Sequence, residues 1–342
     1  MKKIRIGMMG FGRIGRQLYQ IARADEQIEI VAISDIGQPE ILHHLLLHTI
    51  PDSSDVRLDN NYLVCDKTRT RLMPADHPAE IPWDVFGVDV VIAATGRFCT
   101  AADLRPHLRN GAPRVVMATL PEGDIDRVVL CGVNDATAQA ADQIVSAGSS
   151  STTAMGLALK VMAERHEIAH ASLTSVHAYT SDQSLQDYAG ADYRRSRSGA
   201  ENIIPNVAPA PYWVGKALPN LAGKLSGYAL NVPVHNGSML DLTLSMQEPA
   251  EDIEHINNMY RAAAAKQPRL IQTTEDPIVS SDVHGCEQSL LVDLQATMRA
   301  GEKLIKVLAW HETLGQANRV MDVVRLYADL DATLDPAVKE AS

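Results

Sequence analysis

Hydrophobic and polar positions follow two different rhythms along this chain. In the first half, short uninterrupted apolar runs alternate with stretches of helical period. Ile4–Met9 is such a run, and glycines follow it at once. Residues 13–24 then place Ile14, Leu18 and Ile21 on one helical face, and residues 28–34 read as a second strand. Residues 88–93, 114–118 and 128–131 read as three more. Continuous apolar strands separated by helical segments predict a parallel sheet covered on both faces.

The second half changes rhythm. Met155, Ala158, Leu159 and Met162 fit one helical face, and residues 172–179 read as a strand. Residues 238–246 alternate, with Leu240, Leu242, Leu244 and Met246 on one side and Asp241, Thr243 and Ser245 on the other. Residues 290–298 and 303–310 read as two strands joined at Ala300-Gly301-Glu302. Such half-buried alternation predicts a mixed or antiparallel sheet. The change places a domain boundary near residue 149.

Composition narrows the class of protein. A chain of 342 residues, 46% hydrophobic, is long enough for two domains with sizeable cores. Its 31 Lys and Arg against 42 Asp and Glu leave a net charge of −11, which argues against a nucleic-acid-coating or anionic-membrane surface. No apolar run approaches the roughly 20 residues of a membrane span. The opening MKKIRIGMMGFGRIGR has no long apolar core, so it does not read as a signal peptide. Cys65, Cys99, Cys131 and Cys286 are scattered without metal-ligand or CxxC spacing. Free thiols, a cytoplasmic setting and no metal are therefore expected.

The strongest local signal is Gly10-Phe11-Gly12-Arg13-Ile14-Gly15, a G-x-G-x-x-G between a predicted strand and a predicted helix. Gly10 permits the tight turn, Gly12 lets backbone approach a pyrophosphate, and Gly15 permits close helix–strand packing. The helix N-terminus offers N–H groups and the positive end of its dipole to phosphates. Asp35 lies 20 residues beyond Gly15, at the end of the second strand. There a carboxylate accepts from ribose hydroxyls and repels a 2′-phosphate, favouring NAD over NADP. A plain glycine turn with Asp35 as a strand-end cap is the structural alternative. The predicted architecture is α/β, a Rossmann-type parallel-sheet domain plus an α+β domain with a mixed or antiparallel sheet.

Residues 10–16, GFGRIGR, also carry a resemblance. The chain resembles the glyceraldehyde-3-phosphate dehydrogenase family and, to some degree, its sister erythrose-4-phosphate dehydrogenase. Further matches are Thr95-Gly96-Arg97-Phe98, Gly132-Val133-Asn134, His177-Ala178-Tyr179-Thr180, residues 202–205 (NIIP), Gly223-Lys224-Leu225 and Asp241-Leu242-Thr243. Leu304-Ile305-Lys306 and Ala317-Asn318-Arg319 lean toward the erythrose-4-phosphate branch. The resemblance implies an NAD-binding domain over 1–149, completed by a C-terminal helix around 315–335, and a catalytic domain over 150–314. Gly10, Gly12, Arg13, Ile14, Gly15, Asp35, Thr95 and Gly96 fall at cofactor-binding positions. It implies oxidation of a short hydroxyaldehyde, phosphorylated in the family, and a homotetramer. The arginine-rich segment holding Arg194, Arg195 and Arg197 fits an intersubunit or cofactor-pocket role.

Family chemistry runs through a cysteine thiolate. The thiolate attacks the aldehyde, hydride leaves for the nicotinamide, and phosphate or water releases the acyl group, with a histidine as acid and base. The matching stretch here, residues 146–154, reads SAGSSSTTA and puts Ser150 at the nucleophile position. His177 stands 27 residues later, at the position of the family's histidine. A serine hydroxyl ionises far less readily than a thiol, and no acidic orienter for the histidine is evident. A deliberate Cys→Ser substitution and a natural loss of the nucleophile both account for Ser150.

Other departures lie around the substrate. The resemblance implies a substrate-phosphate site of threonine, aspartate and arginine. Thr180 and Asp182 match the first two, and Asn231 stands at the third. Ser149 and Ser151 fill one half of the attacking-phosphate site, while Ala208 and Pro209 replace a threonine–glycine pair in the other. Residues 310–315, WHETLG, are one residue shorter than the family's signature and lack its asparagine; Glu312 or Thr313 would have to serve the carboxamide. Three functions follow: an aldehyde dehydrogenase blocked at position 150, a catalytically inactive NAD-binding or interaction protein, and a dehydrogenase of another substrate, such as erythrose 4-phosphate or a hydroxy compound, using His177 without a covalent intermediate.

Overall fold

A computed structural model describes residues 3–51, 53–66, 68–180, 183–250 and 252–338. Its contacts divide into two compact units. The first holds Met1–Val129, Ala136–Gly148 and Gln316–Ser342, and the second holds Leu130–Asp135 and Ser149–Gly315. A single cut at 149 does not show the short return of Leu130–Asp135. That segment is bound into the second unit by Lys160, whose ammonium donates to the Gly132 carbonyl (2.7 Å) and lies 3.3 Å from that of Val133. Gly132 itself has φ +79°, and a Cβ there would sit 2.4 Å from the Leu270 side chain.

In the first unit β1 (Ile4–Met9), α1 (Arg13–Arg23), β2 (Ile28–Asp35) and α2 (Pro39–Thr49) form the opening repeat. Then come β3 (Arg57–Asp59), β4 (Tyr62–Cys65), β5 (Thr68–Pro74), α3 (Trp83–Phe86), β6 (Val90–Ala93), α4 (Ala101–Arg109), β7 (Val115–Met117), β8 (Arg127–Val128) and β9 (Ile144–Ser146). The nine strands lie in the order β3-β4-β5-β2-β1-β6-β7-β9-β8. From β5 to β8 every pairing is parallel, and the inner strands β2, β1, β6, β7 and β9 of that stretch carry its short apolar runs. β3, β4 and β5 pair antiparallel and extend one edge. Their polar alternation, Arg57 to Met73, gives no continuous apolar run, so the period that finds the other strands passes over them.

The second unit opens with α5 (Ser150–Ala163), β10 (Ile168–Ala178) and β11 (Ile204–Val207). α6 (Ala210–Ala217), β12 (Leu225–Val232), β13 (Ser238–Met246), α7 (Ile253–Lys266), β14 (Ile271–Thr274), β15 (Leu290–Ala300) and β16 (Leu304–His311) follow. α8 (Thr313–Val338) then carries the chain into the first unit's residues. The sheet order is β11-β12-β10-β13-β16-β15-β14, antiparallel except for β10–β12 and β14–β15. Leu173 and Ser175 of β10, Leu240 and Leu242 of β13, and Val307 and Ala309 of β16 are buried on one face. α5 packs on these strands and is buried almost all round, from Thr152 to Leu159 without a break. An apolar helix of this kind contributes through burial, about 25 cal/mol for each Å² of apolar surface removed from water.

Candidate active site

The glycine turn of the first unit has the geometry its sequence predicts. Gly10 sits at φ +102°, and a Cβ on it would lie 2.7 Å from the Ala94 backbone. A Cβ on Gly15 would stand 2.3 Å from the Gly10 carbonyl oxygen, so α1 can start this close to β1 only with glycine there. Gly12 is the N-cap of α1 and makes no side-chain cap, and nothing lies within 4 Å of where its Cβ would be. The backbone at Gly12 is thus open to the close approach of a phosphate at the start of α1. Arg13 is exposed and Ile14 half-buried in the same first turn.

Asp35 closes the turn from the end of β2. One carboxylate oxygen accepts the Phe11 N–H (2.6 Å) and the other the Gly37 N–H (2.9 Å). It is therefore a strand-end cap as well as the acid of the motif. Each oxygen keeps a second acceptor direction for a ribose hydroxyl. Thr95 accepts the Arg97 N–H on its hydroxyl (3.2 Å), and Gly96 has φ +69° with open space beside it. The residues present fit a dinucleotide.

In the second unit, position 150 opens a helix. Ser149 is the N-cap of α5, and its hydroxyl accepts the Thr152 N–H (3.3 Å). The same oxygen lies 2.7 Å from the Thr152 hydroxyl and 3.4 Å from that of Ser151. Ser150 is the first helical residue and is half-buried. Three hydroxyl residues thus surround the start of a helix whose dipole favours negative charge.

His177 ends β10 on the sheet face that carries Leu173 and Ser175. Its Nδ1 lies 2.6 Å from the Ala178 carbonyl, which can only accept. The proton therefore sits on Nδ1, and in the neutral ring Nε2 is the basic nitrogen. Asn231 is its register neighbour on β12. One step beyond the Val176–Met239 pair, Ser238 stands across on β13 and accepts the Ala178 N–H on its hydroxyl (3.2 Å). His311 pairs with Ser238 from β16, and the two imidazole rings lie 6.0 Å apart. His311 is 1% exposed, and burial, then the charge of His177, pushes its pKa down to about 3. Sequence reasoning passes over His311; its place in an alternating strand beside Trp310 is the only signal.

Thr180 follows the strand, and its N–H donates to Gln183 Oε1 (3.1 Å). Asp182 lies outside the described residues. Asn231 is buried. Glu312 and Thr313 bind each other: the carboxylate accepts the Thr313 hydroxyl (2.8 Å) and the Leu314 N–H (2.9 Å), which caps α8. Gln316, which sequence reasoning also misses, donates to the carbonyls of Ala118, Ala147 and Gly148 within the first unit. Arg197 pairs with Asp187 (2.9 Å) on the surface.

A nucleotide-binding turn on a largely parallel sheet, with a second, mixed-sheet unit that carries Ser150 at a helix start and His177 at a strand end, has the make-up of a two-domain dehydrogenase. Residues 4–101 match the NAD binding domain of glyceraldehyde 3-phosphate dehydrogenase, and residues 149–313 match its C-terminal domain. Glyceraldehyde-3-phosphate dehydrogenase 1 of Bacillus cereus is 34% identical over 325 residues, 93% of this chain and 97% of the relative. The enzyme of Mycobacterium avium is 36% identical over 335 residues, 94% and 98% of the two chains. That of Kitasatospora aureofaciens is 38% identical over 333 residues, 95% and 99%. The chain belongs to the glyceraldehyde-3-phosphate dehydrogenase family. It is an NAD-dependent oxidoreductase of that type, with NAD as cofactor.

Proposed function

We propose that the second unit binds a short hydroxyaldehyde with its carbonyl at position 150, and that Ser150 arrests the covalent route of the family. Bound NAD supplies the hydride acceptor. The observation that carries the reading is that Ser150 opens α5 and His177 lies at the end of β10 in the same unit, with α5 packed on the sheet to which β10 belongs. The N–H groups of the first α5 turn polarise a carbonyl oxygen. His177 Nε2 accepts the proton of the attacking group and returns it to the leaving one. Ser149 and Ser151 position the acyl acceptor, phosphate or water, and Thr180, Asp182 and Asn231 hold the substrate.

Serine is a poor nucleophile at this place for a specific reason. His177 Nδ1 is held by a backbone carbonyl, and a carbonyl dipole stabilises the imidazolium formed on deprotonating an alcohol less than a carboxylate at that nitrogen would. A thiol needs no such help, because an appreciable fraction ionises near neutral pH. The Ser150→Cys variant is expected to form NADH from a short hydroxyaldehyde at least about a hundredfold faster than the unmodified chain, about 2.7 kcal/mol of barrier. His177→Asn added to the Ser150→Cys variant removes two to four powers of ten of that rate by order of magnitude. NADH absorbance with a panel of free and phosphorylated aldehydes reads both, and a flat trace for Ser150→Cys overturns the covalent reading.

A homotetramer in the cytoplasm completes the proposal. Four free thiols support that compartment. The outward face of the second sheet carries Val176, Leu230 and Met239 half-exposed and Tyr228 49% exposed, which suits contact with another copy. Sedimentation velocity reads the assembly. Among the described residues no helix is long and apolar enough to cross a membrane.

A further inference from the structure

We infer that the second unit selects a substrate whose tail ends in an uncharged hydroxyl, and that it discriminates against a phosphorylated tail. The inference rests on the proposed aldehyde oxidation and narrows its substrate class.

The first ground is the charge of the interior. Among the described residues of the second unit, no Lys or Arg is buried. The charged side chains that are buried, Asp293 and Glu312, are both acidic. Of the half-buried cations, Lys160 serves the Gly132 carbonyl, Lys224 the Ile168 carbonyl (3.1 Å), Lys306 the Asp241 carboxylate (2.9 Å), Arg261 the Glu254 and Glu275 carboxylates (2.9 and 2.6 Å) and Arg299 the Gly301 carbonyl (2.9 Å), while Arg195 lies in the arginine-rich segment. A phosphate dianion taken out of water needs cations or many N–H donors in return, and the described buried charges of this unit have the wrong sign for it.

The second ground is the polar row beside the proposed carbonyl site. Asn231, His177, Ser238 and His311 succeed one another across β12, β10, β13 and β16. The row presents an amide, a hydroxyl and imidazoles, and burial keeps His311 neutral at any ordinary pH. Amides and hydroxyls match the donor and acceptor pattern of a sugar-like hydroxyl. They are weak partners for a dianion.

The third ground is the start of α6. Its N-cap is Pro209, and Pro211 lies in its first turn. Proline has no N–H, so two of the donors that make a helix start attractive to phosphate are missing. The start of α5 keeps the N–H groups of Ser150 and Ser151, which serve the oxygen of the reacting carbonyl. That charge is transient, so the α5 start stabilises an anion at the carbonyl end and not at the tail.

The test compares glyceraldehyde with glyceraldehyde 3-phosphate as substrates of the Ser150→Cys variant. The expected kcat/KM ratio favours the free aldehyde by about tenfold or more, the worth of a missing charge-assisted contact. Asn231→Arg in the same background is expected to reverse the preference, and thermal melting checks that this variant folds. A preference for the phosphorylated substrate overturns the inference while leaving the aldehyde oxidation standing. If neither aldehyde is oxidised, the proposed function fails, and binding decides the tail. For that, glycerol 3-phosphate is titrated into the unmodified chain with NAD present and followed by ³¹P line width. Saturable broadening of the ester below about 10 mM overturns the inference, and its absence supports it.

Discussion

Two helix starts, one in each unit, are built from the same parts and finished differently. Both α1 and α5 follow a strand and present their first N–H groups at its end. α1 begins at Gly12 without any side-chain cap, so those groups are left for something outside the chain. α5 begins at Ser149, whose hydroxyl takes the Thr152 N–H. An uncapped helix start facing open space marks a ligand that arrives whole and carries its own charge. A capped start already has one of its N–H groups satisfied by the chain. The first unit keeps the glycine motif complete, while the second departs from the family resemblance at Ser150, Asn231 and Pro209.

A methyl group at a glycine of the α1 start has the largest expected effect. Gly15→Ala is expected to cost the first unit about 3 kcal/mol, because the new Cβ meets a backbone oxygen rather than a flexible side chain. Gly12→Ala, with nothing within 4 Å and a φ of −68° that alanine accepts, should leave the melting temperature of the protein without cofactor almost unchanged. The same methyl occupies the approach of the pyrophosphate and is expected to weaken NAD binding tenfold or more by order of magnitude. Calorimetric titration with NAD, beside thermal melting, separates the two. If Gly12→Ala binds NAD unchanged, the open start of α1 is not the phosphate seat.

Among the described residues each unit also buries one neutral imidazole. His107 takes the Trp83 indole N–H on Nδ1 (2.8 Å), and burial pushes its pKa down to about 4. His311 is pushed down to about 3. Both folded values lie below the unfolded value of about 6.5, so the unfolded chain binds more protons and stability falls as pH falls through that window. Each is expected to remove about 2 kcal/mol between pH 7 and pH 5 and more toward pH 4. Urea unfolding at the two pH values reads the loss, and His311→Leu should abolish its share. Equal midpoints at pH 7 and pH 5 would show that these rings are not held neutral.

Much of this is legible in the chain itself, for reasons that can be named. β13 reads at its full extent because Leu240 to Met246 alternate without a fault, and α1 because a glycine motif fixes its start. The β3–β5 edge does not, since short polar strands in a meander have neither an apolar run nor a clean alternation. The place of Leu130–Asp135 in the second unit is hidden because its anchors, Lys160 and Leu270, lie far along the sequence. Asp35 reads as the acid of the motif, and the structure adds its two backbone bonds. His311 and Gln316 stay hidden for one reason: each acquires its meaning from strands or carbonyls that only the fold brings beside it.

The smallest expected effect bears on the capped start. Ser149→Ala removes the bond to the Thr152 N–H, which typically costs about 1 kcal/mol. The Thr152 hydroxyl, 2.7 Å from Ser149 Oγ and itself buried, loses its partner as well, which moves the cost toward the upper end of the usual range of about 0.5–2 kcal/mol. Ser151→Ala is the control, since its hydroxyl lies 3.4 Å from Ser149 and caps nothing. Chemical denaturation should therefore rank Ser149→Ala clearly below Ser151→Ala. If the two are equal, the Ser149 hydroxyl is not spent on the helix and is free for a bound anion, and the start of α5 would then be of the same kind as the start of α1.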